Sequence, residues 1–289
     1  MLVSSSIRGG PRVYSPRPSW VVQCPAKINT FLSVGRPDEK GWHPIRTVFH
    51  AVNLCDELHI WRSDKDFFET DVDWVPAENT VTKAWALLRE AGFDRNLRVK
   101  LIKRIPAESG LGGGSSDAAG LIRFVKSVFG EFSETAEFWP NLALNVGADV
   151  PYFLVGGRAV GEGYGEQLTE LPDEPYRHVL LVRPSVGCST YEMYKALDSQ
   201  RYRWRELPSG FEVYNDFEKV APKRCIGLIR RVRDLGAGYA GLSGSGSCVF
   251  GFYPNLDSIN NAAFRLRQEG ETAVFTCRTL SRVESVKIS

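Results

Sequence analysis

Alternating apolar and polar positions predict the strands of this sequence. Residues 97–105 alternate apolar with basic side chains at all but one position, which is typical of a strand with one buried face. Residues 20–34 are rich in Val, Ile, Phe and Thr and contain Pro25, which favours a strand with a bulge or an edge position. Apolar runs at 47–54 and 57–61 predict two further strands.

A spacing of three and four residues predicts the helices. In residues 79–91 apolar positions follow this spacing, Asn79 is suited to cap the start, and Gly92 follows as a stop. Residues 118–128 describe a second helix with one buried face. The second half of the chain predicts strands at 177–184, 248–253 and 273–279, and helices at 189–197, 222–235 and 256–270.

These elements predict an α+β protein. A chain of 289 residues exceeds the usual size of one domain, so two domains that share a cleft are the first expectation and one large domain is the alternative. The prolines at 172 and 175 precede a new strand-rich stretch, which places the boundary there. We therefore expect domains at 20–173 and 174–289, preceded by a flexible extension at 1–19.

The first 19 residues carry Arg8, Arg12 and Arg17 and no acidic residue, and they lack the continuous apolar segment of a secretory signal. A disordered extension is the simplest interpretation. An organelle transit peptide shares this acid-poor, Ser- and Arg-rich character and stays as the minority alternative, although the three prolines of this segment oppose an amphipathic helix.

Composition limits the classes of partner. With 36 basic and 34 acidic residues the net charge is +2, so neither nucleic acid nor a membrane surface is expected as partner. No apolar run approaches the length of a membrane span. The six cysteines form no Cys-x-x-Cys pair, which favours reduced thiols and a cytoplasmic location, with an organelle stroma as the minority alternative.

A glycine-rich loop carries the candidate chemistry. It lies between the alternating strand 97–105 and the amphipathic helix 118–128, where backbone N–H groups and the helix dipole attract a phosphate. Ser115 and Ser116 could cap that helix and offer hydroxyls to a phosphate or metal. The candidate phosphate-binding residues are Pro106, Ala107, Glu108, Ser109, Gly110, Leu111, Gly112, Gly113, Gly114, Ser115 and Ser116.

Two common nucleotide motifs do not explain these glycines. A Walker loop requires Gly-x-x-x-x-Gly-Lys-Ser/Thr, and this segment lacks the lysine. Residues 236–241 match the dinucleotide fingerprint on paper, but they follow a predicted helix where that motif requires a strand. We interpret Gly236 as a helix stop. A tight strand-to-helix turn without a ligand is the structural alternative for the loop itself.

Three separated motifs and two further segments of the sequence belong together. The motifs are Pro25-Ala26-Lys27-Ile28-Asn29, Gly110-Leu111-Gly112-Gly113-Gly114-Ser115-Ser116-Asp117-Ala118-Ala119 and Leu242-Ser243-Gly244-Ser245-Gly246-Ser247-Cys248; the segments are Gly41-Trp42-His43 and Gly147-Ala148-Asp149-Val150-Pro151-Tyr152-Phe153. The three motifs resemble the GHMP kinase superfamily. The two segments narrow the resemblance to the 4-diphosphocytidyl-2-C-methyl-D-erythritol kinases within it, and the resemblance extends from about Val22 to the end of the chain.

The resemblance implies a fold and a reaction. The N-terminal domain would be ribosomal-protein-S5-like and the C-terminal domain ferredoxin-like, with ATP and substrate between them. The γ-phosphate of ATP would pass, with Mg²⁺, to the 2-hydroxyl of the cytidylylated methylerythritol. A homoserine or mevalonate kinase and a non-catalytic nucleotide-binding relative are the alternatives, and the chain is expected to be a monomer or homodimer.

The resemblance also implies roles for single residues. Asp149 would be the catalytic base, and Lys27 would keep it ionised and offset growing negative charge. Glu108 is unusual beside phosphates, because a carboxylate there is repulsive unless it points outward or faces magnesium. No metal ligand is assigned, and Ser116 and Asp117 are only candidates. The substrate contacts would come from Asn29, Trp42, His43, Thr190 and Tyr194, with the two aromatics flanking the cytosine.

Overall fold

A computed structural model of the protein describes residues 17–130, 135, 137–200 and 204–288. Two β-sheets organise this part of the chain, in agreement with the predicted α+β class. Residues 1–16 of the predicted extension at 1–19 lie outside the described residues. Next to the strand Ile45–Arg62, Ser19 N donates to Ile60 O at 2.9 Å.

The first sheet has seven strands in the order β3-β4-β2-β1-β8, with β5 beside β2 and β6 beside β5. Its long strands follow the sequence pattern. The pairing of β1 with β2 shifts register after Pro25, the residue from which a bulge or an edge position was predicted. The strands are β1 (Trp20–Val34), β2 (Ile45–Arg62), β3 (Phe67–Thr70), β4 (Leu97–Ile102), β5 (Arg158–Glu162), β6 (Gln167–Glu170) and β8 (Tyr214–Asn215).

The prediction of two strands at 47–54 and 57–61 is wrong, because β2 is continuous. Both halves pair with β1, and the register shifts where Pro25 pairs with Cys55 and Ala26 with Val52, so the two extra residues, 53 and 54, belong to β2. No glycine or proline interrupts residues 45–62. The gap between the apolar runs is therefore a change of pattern within one strand.

The second sheet is antiparallel, in the order β11-β7-β10-β9. Along the chain its elements come as strand, helices, two strands, helix and strand. Together with the pairing order, this chain order is that of a ferredoxin-like sheet. The strands are β7 (His178–Arg183), β9 (Tyr239–Leu242), β10 (Val249–Tyr253) and β11 (Ala273–Arg278).

Helices cover the outer faces of both sheets. The α1 start agrees with the prediction, since the Asn79 side chain accepts from Val81 N and Thr82 N. Gly236 ends α6 with φ +98°, as interpreted from the sequence. The helices are α1 (Thr80–Glu90), α2 (Gly113–Phe129), α3 (Phe138–Val146), α4 (Val150–Val155), α5 (Thr190–Asp198), α6 (Lys223–Asp234), α7 (Leu256–Gln268) and α8 (Arg282–Ser285).

The two sheets are joined by an apolar layer of their inner faces. Ala26 and Ile28 of β1 belong to one buried cluster with Leu181 of β7 and Phe250 of β10. Because Lys27 and Asn29 alternate with these residues, they project from the opposite face of β1. The apolar pattern of β1 thus turns its two polar side chains into the cleft.

Three stretches of the second half of the chain return to the first sheet. Strand β8 pairs with β1 in parallel, Thr279 bridges to Val52, and Ile288 bridges to Val22. The boundary near residue 173 stays a prediction. Among the described residues no helix is both long and apolar enough to cross a membrane. The six cysteines are free thiols, as the sequence predicted.

Candidate active site

The glycine-rich loop joins β4 to α2 and ends at the helix N-terminus. Helix α2 begins at Gly113, and Gly112 is its N-cap residue with φ +72°. The prediction that Ser115 and Ser116 cap this helix is wrong, because they lie in its first turn, and within the described residues no side chain caps it. An uncapped N-terminus keeps N–H donors and the positive end of the helix dipole for an anion.

Two residues of the predicted loop attach it to the sheet. Ser116 is buried and donates its hydroxyl hydrogen to Pro25 O at 2.7 Å. Leu111 is also buried, and its carbonyl accepts from Lys27 N at 2.9 Å. Ser115 lines the cavity above them. The loop is thus held against β1 from below while its glycines form the surface.

The loop also touches the glycine-serine turn of the second sheet. Gly110 has φ +73°, and a Cβ atom there would lie 2.0 Å from Ser243 O, so only glycine fits. Ser243 Oγ in turn donates to Gly110 O at 3.0 Å. This close approach brings the loop and the turn 242–247 together at one end of the cleft.

Lys27 lies where the loop and the turn meet. Its Nζ donates to Asn29 Oδ1 at 2.7 Å and is 3.7 Å from Asp149 Oδ2. Cβ atoms at Gly112 and Gly244 would each come within 3.3 Å of the lysine side chain. Burial lowers the pKa of Lys27, and the Asp149 carboxylate opposes that shift. The ammonium group therefore faces both candidate phosphate contacts and one carboxylate.

Asp149 occupies the N-cap position of α4 but does not cap it. Its side chain forms no hydrogen bond with the helix N–H groups, and it is 36% exposed on the cleft side near Lys27. Taken alone, an Asp before Val-Pro is a cap or turn residue in most proteins. Here its carboxylate is left available to a molecule in the cleft.

Other polar side chains that line the cleft are held in place by neighbours. Asn29 Nδ2 donates to Thr47 Oγ1 at 2.7 Å, which fixes the amide. Thr190 Oγ1 and Ser245 Oγ share a hydrogen bond of 2.9 Å between α5 and the glycine-serine turn. His43 Nδ1 lies 3.0 Å from Gly35 O. These contacts orient donors and acceptors before any ligand binds.

The aromatic side chains do not stack on one another. Tyr194 lies 4.9 Å from His43, between ring centroids, and Trp42 is 62% exposed with its ring 6.0 Å from that of Tyr164. Both Trp42 and Tyr194 line the cavity, on separate elements. Tyr164 belongs to the same aromatic group, and sequence reasoning assigned it no role.

A single cavity of about 1190 Å³ contains most of the predicted residues. It exceeds the 300–1,000 Å³ of an ordinary small-molecule pocket, so it has room for two ligands. Leu111 and Ser116 lie beneath its wall. The predicted residues that line it are Lys27, Asn29, Trp42, His43, Pro106, Ala107, Glu108, Ser109, Gly110, Gly112, Gly113, Gly114, Ser115, Asp149, Thr190 and Tyr194.

Comparison with known proteins identifies the family. Residues 79–157 match the family described as GHMP kinases N terminal domain, and residues 219–272 match GHMP kinases C terminal. The 4-diphosphocytidyl-2-C-methyl-D-erythritol kinase of Thermotoga maritima is 36% identical over 253 residues, which are 81% of this chain and 92% of that protein. This chain belongs to the 4-diphosphocytidyl-2-C-methyl-D-erythritol kinase family. As a GHMP kinase, it uses ATP as its phosphate donor.

Solved structures agree with the assignment of this chain to the 4-diphosphocytidyl-2-C-methyl-D-erythritol kinase family. A crystal structure of 4-(cytidine 5'-diphospho)-2C-methyl-D-erythritol kinase superimposes with a TM-score of 0.77 at 28% identity, covering 90% of this chain and 98% of that one. Homoserine kinase from Cytophaga hutchinsonii gives 0.70 at 16% identity, covering 97% and 100%. The second likeness shows the shared fold alone.

A buried charge network lies beneath the glycine loop and was not predicted from the sequence. Lys103 Nζ donates to Asp117 Oδ2 at 2.7 Å and also contacts the Asp56 carboxylate. Burial raises the pKa of Asp117 well above its usual value, and nearby Asp56 raises it further. A sign was present in the sequence, where Lys103 is one of two adjacent basic residues that precede the loop.

Glu108 departs from its surroundings in backbone and charge. Its φ is +49°, a left-handed conformation that a non-glycine residue rarely adopts. Its Oε2 atom lies 3.4 Å from the position a Cβ would take at Gly187, so the carboxylate reaches across to the second half of this kinase. Glu108 is exposed and lines the cavity. It thus points along the cavity wall between the two sheets.

Proposed function

We propose that this chain transfers the γ-phosphate of ATP to the 2-hydroxyl of 4-diphosphocytidyl-2-C-methyl-D-erythritol, a step in the supply of isoprenoid precursors. The observation that carries the proposal is the position of Lys27, whose ammonium group lies between Asp149 and the glycine loop in a cavity with room for two ligands. The relatives named for this reaction cover most of the chain.

In the proposed mechanism the protein positions groups and neutralises charge. The N–H groups of the glycine loop and the α2 N-terminus bind the ATP phosphates. Asp149 accepts the proton of the substrate hydroxyl, and Lys27 pairs with that carboxylate while it offsets charge on the transferred phosphoryl group. The distance of 3.7 Å between the two side chains supports this pairing.

The substrate is proposed to extend from Lys27 along the cleft towards Trp42 and Tyr194. Trp42 and Tyr194 would contact the two faces of the cytosine ring, since aromatic stacking favours a planar base. Asn29, His43 and Thr190 would donate or accept hydrogen bonds with its hydroxyl, phosphate or base groups. The support is their common placement in one cavity.

The cavity offers magnesium few protein ligands, so phosphate oxygens of bound ATP would supply most of its coordination. Among the described residues no three acidic, His or Cys side chains form a metal-binding group. Ser116 and Asp117 are already hydrogen bonded to Pro25 and Lys103. Ser115 and Glu108 are the oxygen donors that would hold it beside the nucleotide, and bound magnesium would neutralise phosphate charge.

The assay that tests the function is ADP release with three alcohols: the cytidylylated methylerythritol, homoserine and mevalonate. We expect turnover with the first to exceed that with the other two by at least about 100-fold, since a polar site discriminates strongly against a substrate that leaves its groups unpaired. Preference for homoserine or mevalonate would overturn the substrate. ATP binding by calorimetry without turnover of any alcohol would favour a non-catalytic relative.

The cellular setting is also a proposal. A cytoplasmic location agrees with six free thiols, because reducing compartments keep cysteines unpaired. Import into an organelle stroma is the alternative, and imaging the chain with and without residues 1–19 decides between them. Light scattering on the purified protein decides between a monomer and a homodimer.

A further inference from the structure

A second cavity of about 180 Å³ lies on the face of β2 turned away from the active site. Thr47 and Phe49 of β2 project towards the cleft, whereas Val48 and His50 line the second cavity, as strand alternation requires. Residues 207–212 cover it. Nothing in the proposed kinase reaction uses this space.

The cavity contains buried polar atoms that lack a partner. His50 is 5% exposed, and within the described residues its Nε2 atom has no hydrogen-bond partner. Arg158, which pairs with His50 across the strands, has its Nε atom buried and unpartnered in the same way. A buried donor without a partner destabilises the fold, so such atoms call for a ligand or ordered water.

The charges around the cavity leave an excess of one positive charge. Arg158 and Arg177 both pair with the single carboxylate of Glu174. Glu212, the acidic residue of the cover, is paired with Arg205 at 2.9 Å. Arg177 lies outside the cavity wall but close enough to act on His50. The charge balance therefore favours an anion.

The histidine itself is neutral in this setting. Burial, with smaller contributions from Arg158 and Arg177, lowers the pKa of His50 to about 3. With its proton on Nε2 the neutral ring donates one hydrogen bond. A donor and a guanidinium group on adjacent strands form a complementary pair for an oxyanion.

We propose that this second cavity binds a small oxyanion, a free carboxylate or inorganic phosphate, between His50 Nε2 and the Arg158 guanidinium group. The cavity is smaller than the roughly 300 Å³ at which drug-sized pockets begin, yet much larger than the space needed for one water. The oxyanion would satisfy both unpartnered atoms and the excess charge. The proposal is independent of the kinase activity.

Histidine ring NMR tests this proposal on the full chain, which contains only four histidines. His50→Gln identifies the His50 signal. The active site is first saturated with a non-hydrolysable ATP analogue, so that added phosphate cannot report from the glycine loop. Sodium formate, sodium phosphate and sodium chloride are then titrated separately at constant ionic strength.

We expect formate, phosphate or both to shift the His50 signal saturably in the presence of the analogue, and chloride to leave it unchanged. The oxyanion with the lower half-saturating concentration shows whether the site prefers a carboxylate or a phosphate. No saturable shift with either, or an equal shift with chloride, would overturn the proposal.

The matched variants are Arg158→Gln and Arg231→Gln. The first removes the guanidinium group from the cavity and should raise the half-saturating concentration at least about tenfold, the cost of one charge-assisted hydrogen bond. The second removes an arginine that pairs with Glu269 on the surface and should change nothing. Equal binding by Arg158→Gln would contradict the site. If that variant does not fold, Arg158→Lys keeps the charge and loses the fork, so binding should weaken less than tenfold, and unchanged binding would contradict the site.

Discussion

Lys27 and Asp149 meet across the cleft with Nζ 3.7 Å from Oδ2, although they are 122 residues apart in the chain. One projects from the buried strand β1, and the other stands at the start of α4 without capping it. Their unequal exposure matters: the lysine is 5% exposed and the aspartate 36%. The lysine depends on its partner, whereas water can reach the aspartate.

Asp149→Asn should retain ATP binding and lose turnover. The amide is of the same size but cannot accept the substrate's proton, and general-base catalysis contributes about 100- to 10,000-fold. The measurement is kcat with the cytidylylated methylerythritol, together with ATP affinity by calorimetry. Asp94→Asn, at a surface aspartate that is 80% exposed, is the control. A kcat within threefold of the parent would remove Asp149 from the base role.

Lys27→Met should lower kcat by about 100- to 1,000-fold, as loss of one preorganised charge does elsewhere. Its melting temperature should be no lower than that of the parent, because the buried charge opposes folding and Asp149 stays accessible to water. Because burial lowers the pKa of folded Lys27, the charged lysine destabilises the folded state fully at pH values below that lowered pKa. This destabilisation disappears as pH rises through the unfolded-state pKa. A clear fall in melting temperature at pH 7 would contradict this account.

Gly110→Ala should destabilise the protein by at least about 1–3 kcal/mol, since it forces a left-handed alanine against Ser243 O. Gly130→Ala is the matched control. Gly130 has φ −62° and open space around its Cβ position, so the same change should be neutral or stabilising by up to about 1 kcal/mol. Urea unfolding of both variants measures the difference, and equal stabilities would refute the close approach.

Trp42→Ala should raise KM for the cytidylylated substrate and leave KM for ATP unchanged. Base stacking contributes about 1–3 kcal/mol, which corresponds to about 5- to 150-fold. Since Trp42 is 62% exposed, stability should change little. Phe264→Ala, at an equally exposed aromatic of α7, is the control. An increase in the KM for ATP would instead place Trp42 near the nucleotide.

His50 should make the protein acid-sensitive. Its folded pKa of about 3 lies below the unfolded value near 6.5, so the unfolded chain binds a proton first as pH falls. That difference removes about 2 kcal/mol of stability between pH 7 and pH 5. His50→Gln should lose less stability over that interval, measured by urea unfolding at both pH values. Parallel losses in parent and variant would show that His50 titrates normally.

Several features could be predicted from the sequence because local chemistry decides them. Asn79 caps α1 through its own side chain, Pro25 marks a register shift between β1 and β2, and Lys27 and Asn29 share a face two residues apart. The glycine loop needed only its place between an alternating strand and an amphipathic helix. Each of these depends on neighbours within a few residues.

Other features were decided by the tertiary structure, because their energies come from distant partners. The two-residue strand β8 exists only through its pairing with β1, and β2 is continuous because it pairs with β1 on both sides of a register shift. Ser116 turned out to hold the loop to Pro25 instead of capping α2. No local pattern could show that the Asp149 carboxylate leaves its helix for Lys27. The sequence by itself determined the elements and the loop; packing of the two sheets determined which side chains share the cleft.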